Sequence, residues 1–305
     1  MVGFNLNQPM KYTINQFRRE YPDDTACLDA ILKLSYAKMP CCPQCSQKTT
    51  FKRIQGRRAY QCSDKDCQYQ LYPTAGTVFE KTRTSLKDWF YIIYLMTSTR
   101  NGVSGKEIQR QLGVTYRCAW RMGHQIRKLM AMKDEILSGI VEVDETYIGG
   151  KSANMHKKKR ERFNMNGKGL NSPKIGVIAL LQRNGNIITQ IIPQTDKSTL
   201  QGLILKHVEK GSIVNTDSHN AYKGIDGVFK HMIIDHANDE YVTDKVHHTN
   251  TVEGFFSHLK RTIKGTHIKV SKMYLQNYVN ECAFKYVNRG EGQMMFFNIL
   301  NRIAA

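Results

Sequence analysis

Apolar residues recur along this chain with two different periods, and the change falls near residue 140. Before it, spacings of three and four dominate, which is the signature of helices with one buried face. Residues 13–38 read as two short helices, the second opened by Asp24 and burying Cys27, Leu28, Ile31, Leu32 and Leu34. Residues 41–72 carry short strand-like pieces among four spaced cysteines. Residues 84–130 read as three helices. Ser85–Thr97 is rich in aromatic and aliphatic residues, Ser104 and Glu107 form a capping-box signature, and Leu112-Gly113-Val114 turns the chain into a third helix over Thr115–Met130.

After residue 140 the period shortens to two. Val141 and Val143 alternate in a first strand, and Ile175–Leu181 and Ile187–Ile192 flank the hairpin signal Asn184-Gly185. Ser198–Glu209 reads as a helix, and Ser212–Asp217 and His231–Asp235 as strands. Asn250–Lys264 and Ser271–Asn288 read as helices. The last sets Leu275, Tyr278, Val279, Cys282, Ala283 and Tyr286 on one face. This order predicts a mixed sheet covered by helices. It suggests four regions: a helical lead-in over 1–40, a cysteine-bearing module over 41–80, a helix-turn-helix region over 81–138 and an α/β domain over 139–305.

Charge changes the picture from fold to partner. The 305 residues hold 45 Lys and Arg against 26 Asp and Glu, a formal net charge of +19. That excess implies a polyanionic partner, most often nucleic acid. More than half of it lies between Cys41 and Ile140, and a second basic run spans Lys151–Lys174. No stretch approaches the ~18 apolar residues of a membrane span, and the first residues lack a secretory signal's apolar run. A cytoplasmic, chromosome-associated protein is expected, in which cysteines are metal ligands or buried apolar groups and not disulfides.

Cys42-Pro43-Gln44-Cys45 and Cys62 with Cys67 have the paired spacing of a structural zinc ribbon, and Cys41 stands beside the first pair as a competing ligand. The polar residues Gln44, Asp64, Lys65 and Asp66 argue against four merely buried cysteines. Arg57 and Arg58 lie between the pairs, within reach of phosphates. In the helix-turn-helix region the third helix would present Tyr116, Arg117, Arg121 and possible neighbour His124 to DNA, with Arg127 and Lys128 as ordinary solvated surface.

Three acids stand out by position. In Glu142-Val143-Asp144-Glu145, alternation sets Glu142 and Asp144 on one strand face and Glu145 on the other. A carboxylate inside an apolar strand is costly unless it is paired or bound to metal. Asp217 ends another strand, and Glu253 sits in the first turn of a helix that Asn250 would cap. Lys260 follows Glu253 by two turns, on the same face. Each acid also has an ordinary explanation, as a strand end, a turn start or a cap. Together they suit an oxygen-ligand site for two Mg²⁺ (or Mn²⁺) ions.

The motifs CPQC with YQCSDKDC, GTVFEKTRTSLKDWF, VEVDETYIGGK, NTDSHNAYKG and HHTNTVEGFFSHLKRTIKGT cover nearly the whole chain. Through them the sequence resembles the DDE transposases of bacterial insertion sequences related to Merlin elements. The resemblance implies an amino-terminal zinc ribbon and a ribonuclease-H-like α/β catalytic domain. It implies that Asp144, Asp217 and Glu253 bind the catalytic metals with Lys260 beside them, and that His247, His248 and Asn250 line the site. Because some relatives use Asn as the third ligand, Asn250 competes with Glu253. Lys260 and Arg261 would contact DNA. The expected partners are terminal inverted repeats and target DNA, bound by an oligomer. The rival readings are a non-catalytic zinc-ribbon and helix-turn-helix DNA-binding protein, a domesticated transposase, and a nuclease that cuts without joining.

Overall fold

In the computed structural model, residues 12–36, 41–132, 135–150, 157, 174–234, 248–292 and 294–303 are described. They fall into two compact units, Met1–Leu129 with Asn288–Ala305, and Met130–Val287. Most of the basic run 151–174, and His247, lie outside the described residues.

The first unit begins with helices α1 (Ile14–Glu20) and α2 (Asp24–Tyr36). Thr13 caps α1 through a reciprocal bond pair with Gln16. The cap of α2 is Asp23 and not the expected Asp24: Asp23 Oδ1 accepts the Ala26 N–H at 2.9 Å, while Asp24 is drawn away to the Lys87 N–H and to Arg58. A small antiparallel sheet follows, of β1 (Phe51–Arg53), β2 (Tyr60–Cys62) and β3 (Gln70–Leu71). Helices α3 (Leu86–Ser98), α4 (Gly105–Leu112) and α5 (Tyr116–Leu129) come next. Ser104 Oγ caps α4 as expected, but the Glu107 carboxylate turns forward to Arg110 and Gln111. Gly113 ends α4 at φ +67°, a left-handed turn that glycine adopts at no steric cost.

The core of this unit is aromatic. Phe296, from the last helix (Met294–Ile303), packs within about 6 Å of the rings of Tyr12, Phe17, Tyr21, Phe90 and Tyr94. The end of the chain therefore belongs to the same unit as its beginning.

The second unit is a five-stranded mixed sheet. Its strands are β4 (Ile140–Ile148), β5 (Ile175–Gln182), β6 (Ile187–Ile192), β7 (Ile213–Asp217) and β8 (Lys230–Ile234), in the order β6-β5-β4-β7-β8. The first three run antiparallel, and β7 and β8 run parallel to β4. This is the mixed α/β architecture of the ribonuclease-H-like expectation. The β5–β6 hairpin turns where Asn184-Gly185 predicted, with Asn184 at φ +56°.

Alternation along β4 sends Val141 and Val143 to one face, where they join Ile178, Leu180 and Val214. Helix α6 (Lys197–His207) covers that face with Leu200 and Ile204. The opposite face, built from Val177, Ala179 and Leu181, is covered by helices α7 (Asn250–Thr262) and α8 (Leu275–Val287) through Phe255, Leu259, Leu275 and Val279. Glu142 and Asp144 point to the face under α7, and this puts them next to the start of that helix.

Candidate functional site

Asp144 lies in the middle of β4, opposite Ala179 of β5. On its other side β4 pairs in parallel with β7 as far as Glu142 beside Asn215. Asp144 and Asp217 each stand two residues past that pair. The strands part beyond that pair, and Asp217 stays close enough for its charge to act on the Asp144 carboxyl. Helix α7 carries Glu253 in its first turn, close enough for its charge to reach Asp144. The electrostatics record this gathering. The Asp144 carboxyl is pushed up to about 7, first by burial and then by the charges of Glu145, Asp217 and Glu253, against the Glu145 N–H that donates to its Oδ1 at 2.8 Å.

Glu142 shares the face of Asp144 but has a different employment. It is fully buried. Its carboxylate accepts from Arg183 Nε at 2.8 Å, from the Thr251 N–H at 2.9 Å and hydroxyl at 2.8 Å, and from the Val252 N–H at 3.0 Å. Two of these donors are open N–H groups of the first turn of α7, so a strand carboxylate caps the helix. Arg183 Nη2 and Asn215 Nδ2 both donate to the His248 carbonyl at 3.2 Å, which ties down the residue before the cap. The His248 ring faces Glu142 at 3.3 Å without hydrogen-bond geometry. The N-cap position is held by Thr249, and Asn250, expected as the cap, is the exposed first residue of the helix. Thr249 Oγ1 donates to Glu253 Oε1 at 3.0 Å, which orients that carboxylate.

Glu145, on the other face of β4, is nonetheless coupled to the site. Burial raises its carboxyl above the usual range, opposed by the Tyr222 hydroxyl that donates to it and reinforced by Asp217. Tyr222 is fully buried in the core under α6. Alternation sets Glu145 on the face away from Asp144, and Tyr222 carries no expectation from the sequence. Their signal was the tyrosine in Asn220-Ala221-Tyr222, five residues after Asp217, but nothing local paired it with Glu145.

The cysteines form a tighter cluster. Among the described residues, only the ligand atoms of Cys42, Cys45, Cys62 and Cys67 form a group of three or more that all lie within 4.8 Å of one another. Cys42 and Cys67 sulfurs are 3.8 Å apart, and those of Cys45 and Cys62 are 3.9 Å apart. Tetrahedral zinc with bonds of about 2.3 Å sets its sulfurs about 3.8 Å apart. The four thiols fit a structural zinc ion, and Cys41 stands outside the group.

Residues 136–287 match the ISXO2-like transposase domain, and residues 22–70 match the transposase zinc-ribbon domain. The chain belongs to this transposase family. One relative is an uncharacterized protein in transposable element ISH50 of Halobacterium salinarum, 28% identical over 248 residues, 78% of this chain and 82% of that protein. Another is an uncharacterized transposase-like protein of Haemophilus influenzae, 26% identical over 103 residues, 33% of this chain and 81% of that one. Among solved structures, a chain from a simian T-cell lymphotropic virus intasome in complex with PP2A regulatory subunit B56 gamma aligns over 63% of this chain and 64% of its own. Its TM-score is 0.28 and its identity 11%, so the likeness carries no argument.

The basic residues of the transposase divide by exposure. Arg57 is exposed at the turn between β1 and β2. Arg58 instead turns inward: its guanidinium donates to the Thr82 and Thr84 carbonyls and pairs with Asp24 at 3.1 Å, joining the ribbon to the helices. Tyr116, Arg117 and Arg121 form an exposed strip along α5, and Lys106 Nζ sits 4.9 Å over the Tyr116 ring. Two other expectations on this helix fail. His124 is buried against the Trp120 ring at 4.1 Å, and Arg127 is buried, donating to the Val103 carbonyl at 3.1 Å. Gly123 leaves room for the Arg127 guanidinium, since a Cβ there would meet Arg127 Nη1 at 3.0 Å and Ile108 Cδ1 at 3.3 Å. Lys260 and Arg261 are exposed on α7, Lys260 on the face of Glu253. No described helix is long and apolar enough to cross a membrane.

Proposed function

We propose that this transposase is of the DDE type and cuts and joins DNA with Asp144, Asp217 and Glu253 as ligands for two Mg²⁺ (or Mn²⁺) ions. The observation that carries the reading is Asp144. A carboxyl in the middle of a buried strand, raised to about 7 by burial and by three neighbouring acids, is an arrangement that a bound cation relieves. The donor set is all oxygen, which suits a hard divalent ion. The three acids do not make a tight cage like the cysteines, and a site whose ligands would be divided between two ions asks for none. Bound there, such ions activate the attacking oxygen and stabilise the leaving oxygen of an in-line displacement.

The chain's own residues do the positioning. The Glu142 cap fixes the first turn of α7, and Thr249 orients Glu253 within it. Lys260 and Arg261 hold DNA phosphates along the same helix, and Arg57, Tyr116, Arg117 and Arg121 recognise the terminal inverted repeats. Arg58 has a structural role. Water attack at the element end frees a 3′-hydroxyl, which then attacks a target phosphodiester, so one P–O bond forms as another breaks at each step. Pairing two element ends calls for an oligomer on double-stranded DNA, acting on the chromosome.

The test is Asp144→Asn with the element's own ends, Mg²⁺ and target DNA. Cleavage and joining should fall by roughly a thousand-fold, the size of several kcal/mol of lost transition-state stabilisation, while DNA binding is retained. Undiminished strand transfer would overturn the mechanism. If the unaltered protein binds ends and never cuts, it is a DNA-binding protein, and if it cuts without creating a new junction it is a nuclease.

A further inference from the structure

We propose that the connection between α7 and α8 is a DNA-gripping wedge, in which Ile268 and Met273 press against the bases of a double helix whose phosphates are held by Lys264, Lys269 and Lys272. The inference deepens the reading of the chain as a transposase and rests on it for the identity of the partner.

Three observations converge on this segment. First, α7 does not end cleanly. It runs into a π-turn over Ile263–His267, a rare departure that concentrates at functional sites. Second, the next residue is strained. Ile268 has φ +61° and ψ −54°, and the Lys269 N–H donates to the His267 carbonyl at 2.6 Å across it. This is a three-residue turn of the strained, positive-φ kind, and a β-branched side chain is the least suited to it. Strain of this sort persists when surrounding contacts enforce it, and it gathers at ligand clamps. The contacts are present: the His267 ring lies edge-on to Tyr278 at 4.6 Å, and Val270 packs on the apolar core under α7 and α8. Third, the anchored loop turns its apolar groups outward. Ile268 is 83% exposed and Met273 80%, the two most exposed large apolar side chains among the described residues.

Charge identifies the occupant. From Gly254 to Asn280 the chain carries Lys260, Arg261, Lys264, Lys269 and Lys272 and no acid, and all five basic residues are exposed. Two apolar side chains are too small a patch for a stable protein interface, and a second copy would bring the same uncompensated cations against these. A duplex matches both features, because its phosphates take the lysines and its base steps accept apolar wedges such as Ile and Met.

The test uses the full chain and a mixed-sequence duplex with 2-aminopurine at a central TA step, a flexible step that unstacks readily. Wild-type binding should raise the probe's fluorescence. Ile268→Ala with Met273→Ala should weaken binding roughly ten-fold, in line with lost burial of apolar side chains, abolish the fluorescence rise and leave the salt dependence unchanged. Lys264→Ala with Lys269→Ala should instead lower the salt slope by about two. Ile268→Gly gives a further arm: it relieves the backbone and removes the wedge, so thermal stability should rise as affinity falls. The proposal is overturned if the apolar variants bind and unstack the duplex as wild type does. It is also overturned if they lose self-association in sedimentation, or binding to anionic phosphatidylserine vesicles, in place of DNA binding. A wild-type chain that binds no duplex would sink the proposed function itself, whereas wild-type binding shared unchanged by the variants sinks the wedge alone.

Discussion

The two candidate metal centres are built on opposite principles. In the ribbon, four soft ligands from two sequence-local turns close to within 4.8 Å of one another, and three of the four cysteines are buried. In the sheet unit, the three proposed hard ligands come from a strand interior, a strand end and a helix start, with Glu253 exposed and Asp144 half-buried. The first geometry leaves no position for a substrate, as in structural zinc sites. The second is open, as sites that exchange ligands must be. Tightness and closure mark the site that holds the fold, and spread and exposure are what the proposed catalytic site would need.

The largest effect that would break this contrast is expected at the ribbon. Its three strands hold two or three residues each, too little to bury a core. Zinc binding in such a module supplies folding free energy on the order of 10 kcal/mol. Cys62→Ser should therefore release zinc and unfold the ribbon, read by metal analysis and by hydrogen exchange over residues 41–72. Exchange protection of β4, β5 and β7 should be unchanged. Equal loss of protection in the sheet would show that the two centres are not independently supported.

A smaller effect sharpens the comparison on the other side. The carboxylate site lacks the local closure of the cysteines, so its geometry depends on the Glu142 brace. Glu142→Ala leaves Arg183 and two helix N–H groups without their buried acceptor. Removing one partner from such a pair costs about 3–5 kcal/mol, measurable by urea denaturation. Strand transfer at a temperature where the variant remains folded should also need more Mg²⁺. A variant with wild-type stability would show that the brace is ornamental.

What the sequence made legible follows the same division between local and distant partners. The cysteine pairs, the Asn184-Gly185 turn and the alternation of β4 are local patterns, and each was readable because its cause lies within a few residues. Glu142 was legible only as an alternative to Asp144, since the partners that claim it lie 41, 109 and 110 residues away. Asn250 satisfied the local rule for a cap, yet the helix is capped by a carboxylate from another element. Arg58, His124 and Arg127 looked like surface by residue type; Arg58 and Arg127 are engaged by carbonyls outside their own elements, which the local pattern does not specify, and His124 packs on Trp120 one turn earlier on its own helix. Nor does the apolar face of the last helix say in sequence which unit it will join.

The smallest expected effect is the dependence of stability on pH in metal-free protein. The Asp144 carboxyl lies near 7 when folded, chiefly through burial, against about 3.9 for a hydrated aspartate. The folded chain thus holds its proton more tightly than the unfolded chain. The stabilisation from that proton is complete below about pH 4 and is lost as pH rises through 7. The whole shift has a ceiling of about 4 kcal/mol, and water reaching a half-buried carboxyl brings the expected change to about 2 kcal/mol. Asp144→Asn, which cannot ionise, should flatten this window and leave the metal-free protein more stable than wild type above pH 7. Saturating Mg²⁺ should flatten it in the wild type and do nothing in the variant. The ribbon supplies the control, since zinc removal should lower exchange protection in the ribbon itself without changing the pH slope read in β4, β5 and β7. A wild-type profile equally steep with and without Mg²⁺ would mean that no cation relieves Asp144, and the open site would lose its claim to be a metal centre.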